Sequence, residues 1–162
     1  MNELTSGAVA GLAGTAVMSA AMAADRAFGW MRGEVPPRKV ARRFEESLGV
    51  RDDLSRPAFE ASWVAQHFAY GAAAGVAYEM IRRRLRPREP LSAGAMYGAA
   101  LWAVSYAGWL PLAGLYPPPH EDNRERALMI ALHHLIYGAT VAVVADRLAP
   151  DPARGPATHR IA

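Results

Sequence analysis

Two histidines in matching sequence contexts are the residues of this chain best suited to chemistry. His67 and His134 each begin the pattern His-x-x-Tyr-Gly, and an acidic residue follows each of them twelve positions later. An imidazole can ligate a metal or a haem iron, or transfer a proton near neutral pH. The candidate ligand or proton-relay residues are therefore His67, Tyr70, Glu79, His134, Tyr137 and Asp146.

These histidines lie in long stretches that contain no Asp, Glu, Lys or Arg. There are four such stretches, each of 18 to 29 residues: Thr5–Ala24, Ala61–Tyr78, Leu91–Pro119 and Ala127–Ala145. A helix of about 20 apolar residues crosses the hydrocarbon core of a bilayer, whereas a soluble amphipathic helix carries charges along its exposed face. The sequence therefore predicts an all-α, integral membrane four-helix bundle, with an alanine-rich soluble bundle as the alternative. The expected spans cover about residues 5–28, 61–81, 91–112 and 127–148.

The composition restricts the classes of function. We expect one domain, residues 1–148, and a disordered tail, residues 149–162, rich in Pro, Gly and Ala. The net charge of +3 comes from arginine-rich loops with few aromatic residues, which argues against nucleic-acid binding. The absence of cysteine excludes disulfides, thiolate metal sites and cysteine nucleophiles. Residues 1–6 lack the basic region of a cleaved signal peptide, so the first span is expected to remain.

Glycines at four-residue spacing indicate close packing between the predicted spans. Small residues let two helices approach each other in lipid, where the hydrophobic effect does not drive their association. This pattern predicts a compact bundle and leaves association with a second copy or a partner membrane subunit open. The candidate helix-packing glycines are Gly7, Gly11, Gly71, Gly75, Gly94, Gly98 and Gly138.

The two halves of the chain resemble copies of one helical hairpin. A Gly-Ala-x-x-Gly motif begins at Gly7 and again at Gly94, and each half then carries its His-x-x-Tyr-Gly motif. A repeated two-span unit has the same orientation twice, so the halves would be related by an axis along the membrane normal. This pseudo-repeat predicts that the two histidines lie at similar depth. The two acidic residues would then lie together at the opposite membrane face.

The loops differ in charge and length. Loop one contains a predicted short amphipathic helix, Arg38–Leu48, which would either lie at the lipid headgroups or cap the bundle. Loop two is short and strongly basic, and dense positive charge beside a span favours the cytoplasmic side, so both termini are expected in the cytoplasm. The candidate residues for anionic lipid headgroups are Arg82, Arg83, Arg84 and Arg86.

One segment carries a family resemblance. The run Trp109–Pro118, with sequence WLPLAGLYPP, resembles the proline- and glycine-rich segment of YagU-like inner-membrane proteins, a bacterial family of unknown function. The histidine-bearing span that follows, and the His67 and Tyr78 pair before it, are also similar to that family. The resemblance implies a small helical protein of the bacterial inner membrane, and it supplies no catalytic residues.

No motif indicates an enzyme. The adjacent residues His120, Glu121 and Asp122 do not converge as metal ligands do, so no metal site is predicted. The leading hypothesis is a non-enzymatic membrane protein without a cofactor, which acts structurally or as a small transport or stress component.

The histidines allow three interpretations. His67 and His134 could be axial ligands in a haem b- or quinone-binding membrane subunit, which is the alternative function. They could form a proton relay with Glu79 and Asp146. They could also hydrogen-bond neighbouring helices and serve packing alone.

Overall fold

The computed structural model describes residues 2–31 and 33–149, and all regular structure in these residues is helical. This confirms the all-α prediction, while all of the predicted tail except Ala149 lies outside the described residues. The five helices are α1 (Glu3–Ala27), α2 (Pro36–Ser47), α3 (Arg56–Leu85), α4 (Pro90–Val104) and α5 (Arg124–Leu148). A π-helical turn, Ser105–Trp109, and a short α-helical turn, Leu110–Leu112, continue α4.

The ends of the long helices follow from their capping residues. Asn2 accepts a hydrogen bond from the amide of Thr5 at 2.8 Å, and Asn123 accepts one from the amide of Arg126 at 3.1 Å. Such side chains satisfy amides that have no partner within the first helical turn. Helix α3 begins before its charge-free stretch and ends after it, at Leu85. The sequence pattern therefore located the apolar part of each helix better than its ends.

The four long helices alternate in direction along the chain. Helix α1 packs against α3 and α5, and α4 packs against α5. The N-terminus, the α3–α4 loop and the end of α5 come together at one end, here called the arginine end after Arg82, Arg83 and Arg86. Helix α2 lies at the other end, which we call the α2 end.

Glycines bring the helix backbones into contact. A Cβ atom added to Gly11 would collide with the carbonyl oxygen of Gly71, and one added to Gly98 would collide with that of His134. A Cβ atom on Gly14 would lie 2.7 Å from Cγ2 of Val141. The pairs α1–α3, α4–α5 and α1–α5 are thus held by surfaces that admit no larger residue.

The packing register does not confirm one repeated hairpin. Gly75 lies between Gly7 and Gly11, whereas Gly138 lies between Gly94 and Gly98. The glycine motifs would therefore make Gly138 the counterpart of Gly75. The His-x-x-Tyr-Gly motifs instead pair Gly138 with Gly71, one helical turn away. The two motif matches thus require different alignments of the halves.

Two helices, α1 and α5, are long and apolar enough to cross a membrane, judged by length and composition. Helix α3 carries Gln66 and His67 within its charge-free stretch, and the π-helical turn interrupts α4. The core helix of a soluble protein satisfies the same criteria. Four membrane spans therefore stay a prediction.

A histidine-lined cavity as the candidate functional site

A cavity of about 310 Å³ lies at the α2 end, between all five helices. Its walls are mainly apolar and aromatic, with Met18 and Met22 from α1, Leu101 from α4 and Ile130 from α5. Three histidines line it: His67 from α3, and His133 and His134 from α5. Ligand sites typically combine such apolar walls with a few polar groups.

Helix α2 covers the cavity. Its residues Val40, Ala41 and Phe44 line the interior, as expected from the amphipathic pattern. Glu45 is buried against α3, where its Oε1 accepts hydrogen bonds from Ser62 Oγ at 2.6 Å and from Gln66 Nε2 at 3.1 Å. The structure therefore places this helix as a cap on the bundle, the second of the two positions considered from the sequence.

A group of ion pairs joins α2 to the start of α3. Arg38 donates to Glu60 at 2.9 Å and to Glu34 at 2.6 Å, and its guanidinium lies over the ring of Phe59. The hydrogen bond with Glu60 raises the pKa of Arg38. The hydrogen bonds from Arg38 and from Trp63 Nε1, the latter at 2.6 Å, lower the pKa of Glu60 below its ordinary value of 4.5. The cap is thus attached by charged groups as well as by apolar contacts.

The indole of Trp63 provides a direct test of this attachment. The folded protein lowers the pKa of Glu60. The ionised Glu60 carboxylate therefore contributes its full stabilisation above pH 4.5, and this contribution is lost as the pH falls through the folded-state pKa of Glu60. We therefore expect the indole N–H resonance of Trp63 to shift with a midpoint below pH 4.5. Arg38→Gln should move that midpoint upward, and Glu60→Gln should abolish the shift. A midpoint unaffected by Arg38→Gln would contradict the assigned cause.

The π-helical turn in α4 shapes one wall of the cavity. Pro111 has no N–H group, and its ring collides with the carbonyl four residues earlier in a regular α-helix. Here the amide of Leu110 donates to the carbonyl of Ser105, five residues back, and Ser105 Oγ donates to the Leu101 carbonyl at 2.6 Å. The wider turn places Ser105, Tyr106 and Trp109 at the cavity. Turns of this kind often occur at functional sites.

Residues 113–123 close the α2 end beside α4. Tyr106 donates its hydroxyl to Asp122 at 2.8 Å, and Asp122 also pairs with Arg126 at 3.2 Å. The side chain of Asp122 is only 4% exposed. In the sequence, Asp122 stands beside the polar residues His120 and Glu121, and this pattern does not predict its burial. Burial raises the pKa of Tyr116, which lines the cavity, to about 12, so its hydroxyl stays protonated at neutral pH.

The structure brings His67 and His134 to the same cavity. Nε2 of His67 is buried and has no hydrogen-bond partner among the described residues. Nδ1 of His134 lies 2.8 Å from the carbonyl of Ile130, which can only accept, so Nδ1 carries the proton and Nε2 is left as an acceptor. Both imidazoles thus line one cavity, an arrangement compatible with ligand or proton chemistry.

The two candidate tyrosines differ in environment. Tyr137 is buried and donates its hydroxyl to the Gly71 carbonyl at 2.6 Å, which joins α5 to α3. Tyr70 is 41% exposed, and its ring lies 6.3 Å from that of Trp109. Both tyrosines line the cavity, but the hydroxyl of Tyr137 is engaged between two helices, whereas Tyr70 is partly exposed.

The acidic candidates lie at the arginine end, away from the histidine cavity. Glu79 is 1% exposed and accepts hydrogen bonds from Arg82 at 2.9 Å and from Arg83 at 2.7 Å. Arg82, Arg83, Arg86 and Asp146 line a second, polar cavity there. Arg84 is exposed at the same end. Glu79 is thus engaged by arginines and does not face the imidazoles.

One buried pair was not predicted from the sequence. His133 Nε2 lies 2.7 Å from Asp25 Oδ2, and His133 is 1% exposed. Asp25 is the first charged residue after the charge-free stretch Thr5–Ala24, so that pattern does not indicate its burial. His133, Tyr137 and Val141 follow one another at four-residue spacing on the buried face of α5. That periodicity could have identified His133 as an inward-facing residue.

Within the described residues, no group of three or more His, Cys, Asp or Glu side chains could hold a metal ion. The chain belongs to a family of unknown function, DUF6789, whose model matches residues 1–155. Comparison with curated proteins and with solved structures found no match. None of these comparisons supports the narrower resemblance to YagU-like proteins.

Proposed function

We propose that this member of a family of unknown function is a non-enzymatic, multi-pass membrane protein that binds a small apolar ligand under α2. The observation that carries the proposal is the cavity, which combines apolar walls with three histidines. A ligand-binding role is compatible with a small transport or stress component. It makes no use of Glu79 and Asp146, which lie at the other end.

The exposed faces of the long helices support four membrane spans. Large apolar side chains point outward from all four: Leu12 and Val17 on α1, Met80 and Ile81 on α3, Met96 and Val104 on α4, and Leu128 and Leu132 on α5. Charges are confined to the helix ends, α2 and the loops. An apolar exterior with charged ends suits a bilayer better than water. In this proposal, the protein partitions into membranes and is released only by detergent.

The orientation follows from the basic loop. The arginine end contains the α3–α4 loop, the start of α1 and the end of α5. We place this end in the cytoplasm of a bacterial cell, with the protein in the inner membrane. Arg84 and Arg86 are exposed there and suit anionic headgroups, whereas Arg82 and Arg83 are engaged by Glu79.

Filling the cavity should abolish ligand binding. Leu101 lines the cavity, so Leu101→Trp would occupy space that a ligand needs. We expect this variant to bind 2-methoxynaphthalene at least about tenfold more weakly than the wild type, as measured by calorimetry in detergent after subtraction of protein-free micelles. Leu132→Trp adds the same ring on an exposed face of α5 and should bind the probe normally. Equal affinities for both variants would count against the cavity as the site.

Haem b is the second candidate ligand. Two observations favour it: His67 and His134 line the same cavity, and the Nδ1–H of His134 is fixed by a carbonyl, which leaves Nε2 to ligate iron. A purified protein with a Soret band that disappears in His67→Ala would establish this ligand. A colourless preparation that takes up no added haemin would remove it.

A further inference from the structure

We infer that the cavity selects an apolar ligand that carries a hydroxyl group, and that His133, oriented by Asp25, accepts the hydrogen bond from that hydroxyl. This inference rests on the proposed function and adds the polar group that the ligand must have. His133 is the residue expected to touch the ligand, and Asp25 is a positioning residue.

The pair lies where α1 and α5 pack together, near the end of α1. Nε2 of His133 and Oδ2 of Asp25 are 2.7 Å apart, and the side chains are 2% and 13% exposed. An ionised carboxylate only accepts hydrogen bonds. The pair is not aligned as a hydrogen bond, since Oδ2 of Asp25 has no hydrogen-bond partner among the described residues. At 2.7 Å, however, the carboxylate oxygen would repel an unprotonated Nε2, so the neutral imidazole is expected to carry its proton on Nε2.

This tautomer leaves Nδ1 of His133 as an acceptor. Burial disfavours the charged imidazolium, so the neutral ring is the form expected at the cavity. Nδ1 is buried and has no hydrogen-bond partner among the residues that the structure describes. A buried acceptor without a partner is costly, and a hydroxyl donated by a ligand would satisfy it.

Four other polar side chains at the cavity already have hydrogen-bond partners. Thr15 donates its hydroxyl to the Gly11 carbonyl at 2.8 Å, and Ser105 donates to Leu101. Tyr106 and Tyr137 donate to Asp122 and to the Gly71 carbonyl. The buried polar side-chain atoms of the walls that lack a partner among the described residues are Nε2 of His67, Nδ1 of His133 and the hydroxyl of Tyr116. Of these two imidazoles, His133 is the one whose proton position a neighbour fixes.

Two probes of the same shape test this inference. 2-Naphthol and 2-methoxynaphthalene share one ring system, but only the naphthol donates a hydrogen bond. Both affinities are measured by calorimetry in detergent, each against protein-free micelles, and their ratio is compared between wild type and variants so that partitioning cancels. We expect the ratio of the 2-naphthol affinity to the 2-methoxynaphthalene affinity to be about three- to tenfold higher in the wild type than in His133→Phe. A change of this size corresponds to one hydrogen bond.

Asp25→Asn tests the positioning role. The side-chain amide of asparagine can donate to Nε2, so the His133 proton is no longer restricted to Nε2. The preference for 2-naphthol should therefore fall toward that of His133→Phe. Ring ¹⁵N resonances should show an unprotonated Nδ1 of His133 in the wild type and its partial protonation in Asp25→Asn. Tyr97→Phe, which loses a hydroxyl bonded to the Ala74 carbonyl away from the cavity, should keep the wild-type ratio.

The outcomes separate the two proposals. Binding of neither probe would overturn the proposed function. Binding of both probes with a ratio unchanged in His133→Phe would overturn the hydroxyl inference alone. A preference for the methoxy probe, or a protonated Nδ1 in the wild type, would also overturn it, because His133 would then be a donor.

Discussion

Replacement of Gly11 by leucine is expected to lower the free energy of unfolding by about 3 kcal/mol or more. Overpacking a well-packed core costs about 1–3 kcal/mol when side chains can adjust. At Gly11 the colliding atoms are the carbonyl oxygen of Gly71 and the Cα of Ala72, which are backbone atoms. The cost should therefore reach or exceed the upper end of that range. Reversible unfolding in mixed SDS and detergent micelles, followed by tryptophan fluorescence, would measure the change.

Ala16→Leu on the same helix is the matched control. Ala16 is exposed, so a leucine there adds apolar volume without entering a helix contact. We expect a change of less than about 0.5 kcal/mol for this variant. If Gly11→Leu were no more destabilising than Ala16→Leu, the close contact between α1 and α3 would not exist in the protein.

The second large effect is expected at the arginine end, for Glu79→Gln. Glu79 is buried, and its carboxylate accepts two hydrogen bonds from Arg82 and one from Arg83. Its neutralisation leaves the Arg82 guanidinium, which is 15% exposed, without a compensating charge. Removal of one partner of a buried ion pair costs about 3 kcal/mol or more, so we expect a loss of about 3 kcal/mol in the same unfolding assay.

Glu46→Gln separates this effect from a general loss of acidic charge. Glu46 is 38% exposed and pairs with Arg42 and Arg43 on the surface of α2. Exposed ion pairs contribute about 0–1 kcal/mol, so this variant should remain close to the wild type. Equal losses for the two variants would mean that Glu79 has no special role.

Much of the fold could be predicted from where charge is absent. The four charge-free stretches correspond to α1, α3, α4 with its continuation, and α5, because a helix interior that excludes water excludes charge as well. The π-helical turn was not predicted. Pro111 indicates a local break, but whether a helix kinks, ends or widens there depends on neighbouring elements that a local pattern does not contain.

The candidate site was predicted in part. Matching motifs indicated His67 and His134, and both line the cavity. The Asp25–His133 pair was missed because its two residues lie far apart in sequence and meet only where α1 crosses α5. The role of α2 as a cover could be stated only as one of two alternatives, since its apolar face indicates burial without saying against what.

The seam between α3 and α4 is made by aromatic side chains, whereas glycines bring the helices together at the other three helix contacts. Tyr97 bridges the two helices through its hydroxyl and through a ring contact with Tyr78 at 5.1 Å, and Tyr70 approaches Trp109 nearer the cavity. Rings can rotate about their own bonds, whereas touching backbones cannot separate without moving whole helices. Three helix contacts of the bundle are therefore rigid, because glycines hold the helices close together there, and the contact between α3 and α4 can deform, because side chains make it. Exchange between the cavity and its surroundings at this seam would be governed by side-chain rotation, on a timescale far shorter than that of helix displacement.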